Sequence, residues 1–273
     1  MTDFNGMVAV VTGAGSGIGR ALAQALAASG CQLALSDINQ AGLDETVSQL
    51  PRAPAKVDTS LLDVADRNAV KAYAASVVER FGHVDIVINN AGVGVAGGAV
   101  EVSDADLDWL MGINFWGVVD SSRAFLPHLS TRPQAWLVNI SSIFGIIGVP
   151  GQAAYNASKF AVRGYTEALW HEYEDSNVAI CLVHPGGIKT AIARNSRVSA
   201  GVSAAEHSQG VNRFDELART SPEQAAAVIL EGIAKKRRRI YIGNDAKVIS
   251  LLSRLLPNSY MRMLGRLFNN AGE

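Results

Sequence analysis

The sequence predicts an α/β fold: a doubly wound parallel sheet of about seven strands with helices on both faces. Two observations predict it. Short runs rich in Val, Ile and Leu recur along the chain without strict alternation, as strands buried on both faces require. Amphipathic stretches separate them, which is the order of strand–helix–strand units. With 273 residues, 48% of them apolar and 18% charged, the chain suits one domain, 1–273, with a sizeable core.

The elements follow in order. Strands are expected at 7–12, 32–37, 84–89, 135–141, 178–185 and 240–243, with a weaker one in 56–64. Helical patterns occupy 17–29, 40–50, 66–81, 103–128, 155–174 and 221–235. Ser221 and Pro222 start the last of these as cap and first-turn proline. One long irregular stretch, 188–221, reads as a substrate lid, because long loops in compact domains serve as lids or are disordered. The run 235–239, KKRRR, reads as a solvated helix end leading into the edge strand.

Charge and composition exclude several classes. A net charge of −1 gives no field that would draw nucleic acid or anionic lipid as the main partner. Cys31 and Cys181 lie in apolar strand-like runs and read as buried thiols of a reducing compartment. The N-terminal segment carries an acid and no basic region, and its apolar run is too short for a signal peptide or membrane span. A cytoplasmic location is therefore expected. The five histidines match no metal-ligand spacing, so no metal is expected; His184, before Pro185, reads as strand-end packing.

VVTGAGSGIGR follows the first strand and opens the first helix. Glycines there let backbone approach a pyrophosphate, and the helix N-terminus offers unpaired N–H groups to it. The glycines at 13, 15, 17 and 19 fit neither the strict G-x-G-x-x-G spacing nor the P-loop. Asp37 ends the second strand 18 residues after Gly19. A carboxylate there accepts hydrogen bonds from both ribose hydroxyls and repels a 2′-phosphate, which favours NAD. No Arg or Lys stands at Ile38 or Asn39, and Ser16 is neutral.

With TGAGSGIG (12–19), NNAG (89–92), IN (113–114), SS with YNASK (141–159) and HPGGIKT (184–190), the chain resembles the short-chain dehydrogenase/reductase family. The resemblance covers roughly residues 5 to 243, in family order and spacing. It implies a Rossmann-like fold, a nicotinamide dinucleotide and a catalytic set of Asn114, Ser142, Tyr155 and Lys159. Tyr155 would be the general acid in ketone reduction and the base in alcohol oxidation. Ser142 would hold the substrate oxygen, with Ser141 as the alternative. Lys159 would also bond the nicotinamide ribose, and Asn114 would place a water linking Lys159 to solvent. For the cofactor it implies Gly13, Ser16, Gly17, Ile18 and Gly19 at the pyrophosphate, Asp63 and Val64 at the adenine, and Asn90, Ala91 and Gly92 at the ribose and pyrophosphate. Pro185, Ile188 and Thr190 would cradle the nicotinamide. It also implies a homodimer or homotetramer built on the helices 103–128 and 155–174.

The residues support this chemistry. Tyr155 and Lys159, four apart on a helix, share a face. A phenol has a reference pKa near ~10, so activation to neutral pH needs about three units, ~4 kcal/mol. One ammonium at ~4 Å, with an effective dielectric of ~20, is worth about that much. Burial opposes it, and a positively charged nicotinamide would help. Ile143, Phe144, Ile146, Ile147 and Val149 follow Ser142 and favour an apolar secondary alcohol or ketone. Two other functions compete: a dinucleotide sensor without catalysis, which would not need the serine–tyrosine–lysine set, and an NADPH-dependent 3-ketoacyl reductase, which Asp37 opposes.

Residues 244–273 form an amphipathic extension. Val248, Leu251, Leu252, Leu255 and Leu256 make one apolar stripe, broken at Pro257, and Tyr260, Met261, Leu264, Leu267 and Phe268 make a second. Packing within the protein or between subunits is the favoured role. A pocket lid and contact with a membrane surface are the alternatives.

Overall fold

The computed structural model describes residues 4–51 and 56–269, with side chains described as far as Leu264. The expected sheet is present. Its strands are β1 (Val8–Thr12), β2 (Gln32–Asp37), β3 (Val57–Leu61), β4 (Ile86–Asn89), β6 (Ala135–Ile140), β7 (Val178–Pro185) and β9 (Arg239–Ile242). All seven are parallel, in the order β3-β2-β1-β4-β6-β7-β9. The order reverses between β1 and β4, so a crevice opens beyond their C-terminal ends, where such sheets bind ligands.

Helices α1 (Gly17–Ala28) and α8 (Pro222–Ala234) pack on one face; α3 (Arg67–Phe81), α5 (Gly117–Leu129) and α6 (Ala153–Glu172) cover the other. The short α2 (Gln40–Ser48) follows β2. β1 shows why its pattern does not alternate. Ala9 and Val11 pack into the core on the α1 side, Val8 and Val10 into the core on the α3 and α5 side, and all are fully buried. A ladder of buried polar groups crosses the second core. Asn89 Nδ2 donates to Asn139 Oδ1 (2.8 Å), and Asn139 Nδ2 donates to Thr166 Oγ1 (3.0 Å), which ties β4, β6 and α6 together.

Three expectations need correction, and the C-terminal stripe takes a definite place in the single chain. The helix expected over 103–128 is two helices, α4 (Asp104–Met111) and α5, joined by a π-helical turn at Gly112–Trp116. Hydrophobic period alone does not register one extra residue per turn. The stretch 188–221 is not irregular throughout. It holds β8 (Arg197–Val198), paired with β5 (Val95–Ala96), and α7 (Ala204–Leu217). A Ser203–Glu206 capping box starts α7, yet none of its residues is fully buried, so its pattern in sequence is faint. Asp63 and Val64 lie two and three residues past β3 rather than within it. Finally, α9 (Asn244–Leu255) buries Ala246 and Ile249, while Val248, Leu251 and Leu255 are more than half exposed. The expected stripe is thus turned outward in the single chain, because the smaller Ala246 lets the helix lie close on that side. In α10 (Tyr260–Asn269), Leu264 is buried; the side chains of Leu267 and Phe268 fall outside those described. No helix among the described residues is long and apolar enough to cross a membrane.

Candidate active site

The glycine turn between β1 and α1 closes on itself. Gly13 has φ of 65°, and a Cβ there would lie 2.8 Å from the Ala91 Cα. A Cβ on Gly19 would collide with the Gly13 carbonyl oxygen. Both positions therefore require glycine, the first for conformation and the second for contact. Asn90 Nδ2 donates to the carbonyls of Thr12 and Gly13, both at 3.0 Å, which fastens the turn to the end of β4. Thr12 Oγ1 accepts from the N–H groups of Asn90 and Ala91. Arg20 Nη2 reaches back to the Gly15 carbonyl at 2.6 Å. Ser16 caps α1 without a side-chain bond to the helix, and the first-turn N–H groups of Gly17, Ile18 and Gly19 have no acceptor inside the helix.

Asp37 ends β2 beside this turn. Its Oδ2 accepts from Gly15 N at 2.8 Å and its Oδ1 from Asn39 N at 3.0 Å. A carboxylate has about four acceptor sites, so two remain for other donors. Asp63 Oδ1 accepts from Ala65 N, and buried Val64 packs against Gly117, where a Cβ would lie 2.9 Å from Val64 Cγ2. Thr190 comes against the turn from the loop after β7: a Cβ on Gly17 would meet Thr190 Cγ2 at 3.2 Å. Ile188 is buried in the core with α1. Asp245 holds the same loop by accepting from Gly187 N at 2.9 Å.

The remaining groups gather at the ends of β4 and β6 and the start of α6. Lys159 is buried, and its Nζ donates to the Ile140 carbonyl at 3.2 Å. It stands 5.7 Å from the centroid of the Tyr155 ring. The Ser142 hydroxyl stands near enough to the Tyr155 phenol to pull its protonation downward, and it accepts from Phe144 N at 3.1 Å. Ser141, the alternative, is turned away: its hydroxyl donates to the Lys159 carbonyl at 2.8 Å. Asn114 sits fully buried in the π-helical turn. Its Oδ1 accepts from Val93 N (2.8 Å), and its Nδ2 donates to Val93 O (3.0 Å) and Ser158 Oγ (3.1 Å). Its side chain is thus spent on the loop after β4 and on α6, not on Lys159. A Cβ on Gly92 would lie 3.2 Å from Asn114 Oδ1 and 3.3 Å from Lys159 Nζ, so Asn114, Gly92 and Lys159 meet at one point.

Burial governs protonation here. It pushes the Tyr155 phenol up to about 12, against a smaller pull downward from the Ser142 hydrogen bond. It pushes the Lys159 ammonium down to about 8. The expected shift of the phenol toward neutral pH is therefore absent from the protein by itself. Desolvation of the phenolate outweighs the downward pull at this site, and no lowering by Lys159 enters the balance.

Several supporting residues went unnoticed in the sequence. Asn156, inside the YNASK motif, donates to the carbonyls of Phe144 (2.7 Å) and Ile147 (2.6 Å) and accepts from Val149 N (3.0 Å), holding the segment after Ser142 in place. Tyr260 Oη accepts from Gly148 N at 2.9 Å on the same segment. Ile143 and Ile147 are buried with Ala246, Ile249 and Leu264, so they pack on the C-terminal extension and do not line an open pocket. Phe144 instead meets Tyr155 edge-on at 6.0 Å.

This is the site of a dinucleotide-binding α/β protein: a closed glycine turn, a strand-end carboxylate, and a buried lysine beside a tyrosine and a serine. The chain belongs to the short-chain dehydrogenase family, whose model matches residues 7–200. It is 47% identical over 266 residues to a Mycobacterium tuberculosis protein named only as an oxidoreductase, SadH, covering 97% of this chain and 96% of that one. It is 33% identical over 227 residues to the 3-oxoacyl-[acyl-carrier-protein] reductase FabG of Thermotoga maritima, covering 83% and 90%. A short-chain dehydrogenase/reductase from Burkholderia phymatum, solved in complex with NAD, superposes with a TM-score of 0.86 at 33% identity, covering 93% and 95%. The chain is thus an oxidoreductase of a family that binds nicotinamide dinucleotides and acts on small molecules.

Removing residues 257–273 should uncover Ile143, Ile147 and Ile249. An apolar reporter dye should then bind more strongly and the melting temperature should fall. A truncated protein that melts and binds dye like the full chain would show that the extension does not support the segment after Ser142.

Proposed function

We propose that the protein is an NAD-dependent oxidoreductase interconverting an apolar secondary alcohol and its ketone. One observation carries the reading: Ser142, Tyr155 and Lys159 converge at the strand ends, directly across from the glycine turn. A protein that only sensed a dinucleotide would not need a buried lysine beside a tyrosine, since burying an ammonium is costly.

The fit to a dinucleotide rests on the turn. Gly13, Ser16, Gly17, Ile18 and Gly19 would take the pyrophosphate, Asp37 the adenosine ribose, and Asp63 and Val64 the adenine. Asn90, Ala91 and Gly92 would face the ribose and pyrophosphate, and Tyr155 and Lys159 the nicotinamide ribose. Pro185, Ile188 and Thr190 would bound the nicotinamide. When bound, the dinucleotide supplies or accepts the hydride. Tyr155 gives its phenolic proton to the carbonyl oxygen in reduction and takes it back from the alcohol in oxidation. A phenol near 12 keeps its proton at neutral pH and is ready as the acid. To act as base it needs added positive charge nearby, from Lys159 and an oxidised nicotinamide together. Ser142 holds the substrate oxygen with its hydroxyl. Asn114 acts through position, keeping Val93 and α6 in register, and would place a water linking Lys159 to solvent. The segment 188–221, with α7, serves as the lid over the substrate, since α7 buries none of its residues fully. Phe144 and Val95, packed around Tyr155, give the pocket its apolar character.

Asp37 favours NAD over NADP, and the Burkholderia neighbour holds NAD. Calorimetric titration should show tighter binding of NADH than NADPH. Asp37→Ala should narrow the gap; equal affinities in the unaltered protein would overturn the preference.

A panel of 2-octanol, 1-phenylethanol, cyclohexanol and their ketones, assayed with both cofactors, should reveal turnover. Tyr155→Phe should lower that turnover by ~10²-fold or more while changing NADH affinity little. Retention of more than about a tenth of the rate would remove Tyr155 from its role.

Subunits pair, in this reading, through the helical stretch 103–128 and α6, where Trp116 of the π-helical turn and Phe160 of α6 are 47% and 40% exposed in the single chain. Sedimentation should show a dimer or tetramer at micromolar concentration, and a monomer alone would contradict the pairing.

A further inference from the structure

We infer that His184 is a positioning residue for Ser142: its ring N–H holds the Ser142 carbonyl and so keeps the serine hydroxyl turned toward Tyr155. This rests on the acid–base reading of Ser142 and Tyr155 above.

The geometry begins in the sheet. β6 and β7 pair in register as far as Ile140 and Val183, and Ser141 N donates to the Val183 carbonyl at 2.9 Å. Pro185 follows, and proline has no N–H to continue the ladder. A side chain takes over. His184 Nδ1 lies 2.9 Å from the Ser142 carbonyl oxygen. A carbonyl only accepts, so Nδ1 carries the hydrogen and Nε2 has the lone pair. The ring is completely buried, and Nε2 has no hydrogen-bond partner among the described residues. A second proton there would have no acceptor, and Arg163 and Arg239 nearby disfavour it further, although Glu167 partly offsets them. Burial pushes the ring down to about 4, so one tautomer persists through the neutral range. Tyr241 of β9 fixes the ring plane by stacking on it, with centroids 5.5 Å apart and planes at 21°. Ser250 of α9 donates to the Tyr241 hydroxyl at 3.0 Å.

Ser142 therefore has its carbonyl pinned by His184 and its hydroxyl held by Phe144 N, on the side of Tyr155. Its backbone is extended, with φ of −166° and ψ of 166°, so rotation about the following peptide would swing the segment away from β7. Packing alone would need only a ring-shaped group at position 184. Positioning needs a donor at the place of Nδ1.

Two measurements test this. Nitrogen NMR of 15N-labelled protein, with the His184→Asn variant for assignment, should show the neutral Nδ1–H tautomer for this ring. An Nε2–H tautomer would overturn the inference, and this readout does not require turnover. Kinetics with NADH and the panel ketone that the unaltered protein reduces fastest form the second test. Asn places an amide N–H where Nδ1 stands, so His184→Asn should keep kcat within about threefold, whereas His184→Leu should lose ~10-fold or more in kcat with KM for NADH within about twofold. Equal rates for the two variants, or a loss confined to KM for NADH, would overturn it. If His184→Leu does not fold, His184→Gln, whose amide sits one bond too far out, replaces it. A protein inactive on the whole panel would count against the proposed function and leave the tautomer result to decide the His184 contact.

Discussion

Seven strands running the same way all end at one edge, and every chemical group at the site hangs from that edge. Thr12, Asp37, Asn89, Ile140 and His184 stand at or near the C-terminal ends of β1, β2, β4, β6 and β7. A parallel sheet must be covered on both faces, so the edge is the one place where backbone groups meet solvent or a ligand. Order at this edge is secured from beneath. The Asn89–Asn139–Thr166 ladder ties two strands to α6, and each member would be costly to leave unpaired in the core. Tyr155 and Lys159 on α6 inherit their placement from that ladder.

The same burial that fixes these groups sets their chemistry. Lys159 is as buried as a core residue and has the Ile140 carbonyl as its described hydrogen-bond acceptor, so its ammonium is held down to about 8. Tyr155 is held up to about 12. Both shifts favour the uncharged form, which is the signature of desolvation and not of an ion pair. A phenol kept protonated beside a lysine that still carries its charge at neutral pH is a poised arrangement: an added positive charge would lower both groups, because each feels it through a medium of low dielectric. Perturbed groups cluster at such places for this reason.

Much of the fold and of the site could be read from the sequence. The strand runs, the glycine turn, Asp37 and the Tyr155–Lys159 spacing each follow from a period or a local conformational demand, and each stands where it was expected. What escaped has physical causes. The π-helical turn around Asn114 depends on one inserted residue, which leaves hydrophobic spacing nearly unchanged. Helix α7 carries only a thin inward row of His207, Val211 and Phe214, each half-buried, so no strong stripe announces it. In α9 the chain's own core is met by Ala246 and Ile249 while the larger stripe residues stay on the outer face, a distinction that an apolar period does not make. His184 looked like packing since a lone histidine in an apolar strand gives no local hint of the carbonyl waiting 42 residues earlier in the chain.

These omissions share a direction. The segment from Ser142 to Val149 is gripped from three sides: by Asn156 of α6, by His184 of β7 and by Tyr260 of α10. None of those grips is local, and none belongs to the glycine turn. Across the crevice, α7 is held mainly at its ends, through the Ser203 capping box, the Arg194–Asp215 pair and the Ile188–Thr220 bridge. Exposed ion pairs and a single bridge contribute little compared with buried apolar contact. The two walls of the crevice therefore differ in stiffness for a reason visible in their contacts. The segment carrying Ser142 is anchored in the core and by the C-terminal helices, whereas few buried contacts hold α7. In the function proposed above, the fixed distances of proton transfer would fall to the first and the movement of substrate entry to the second.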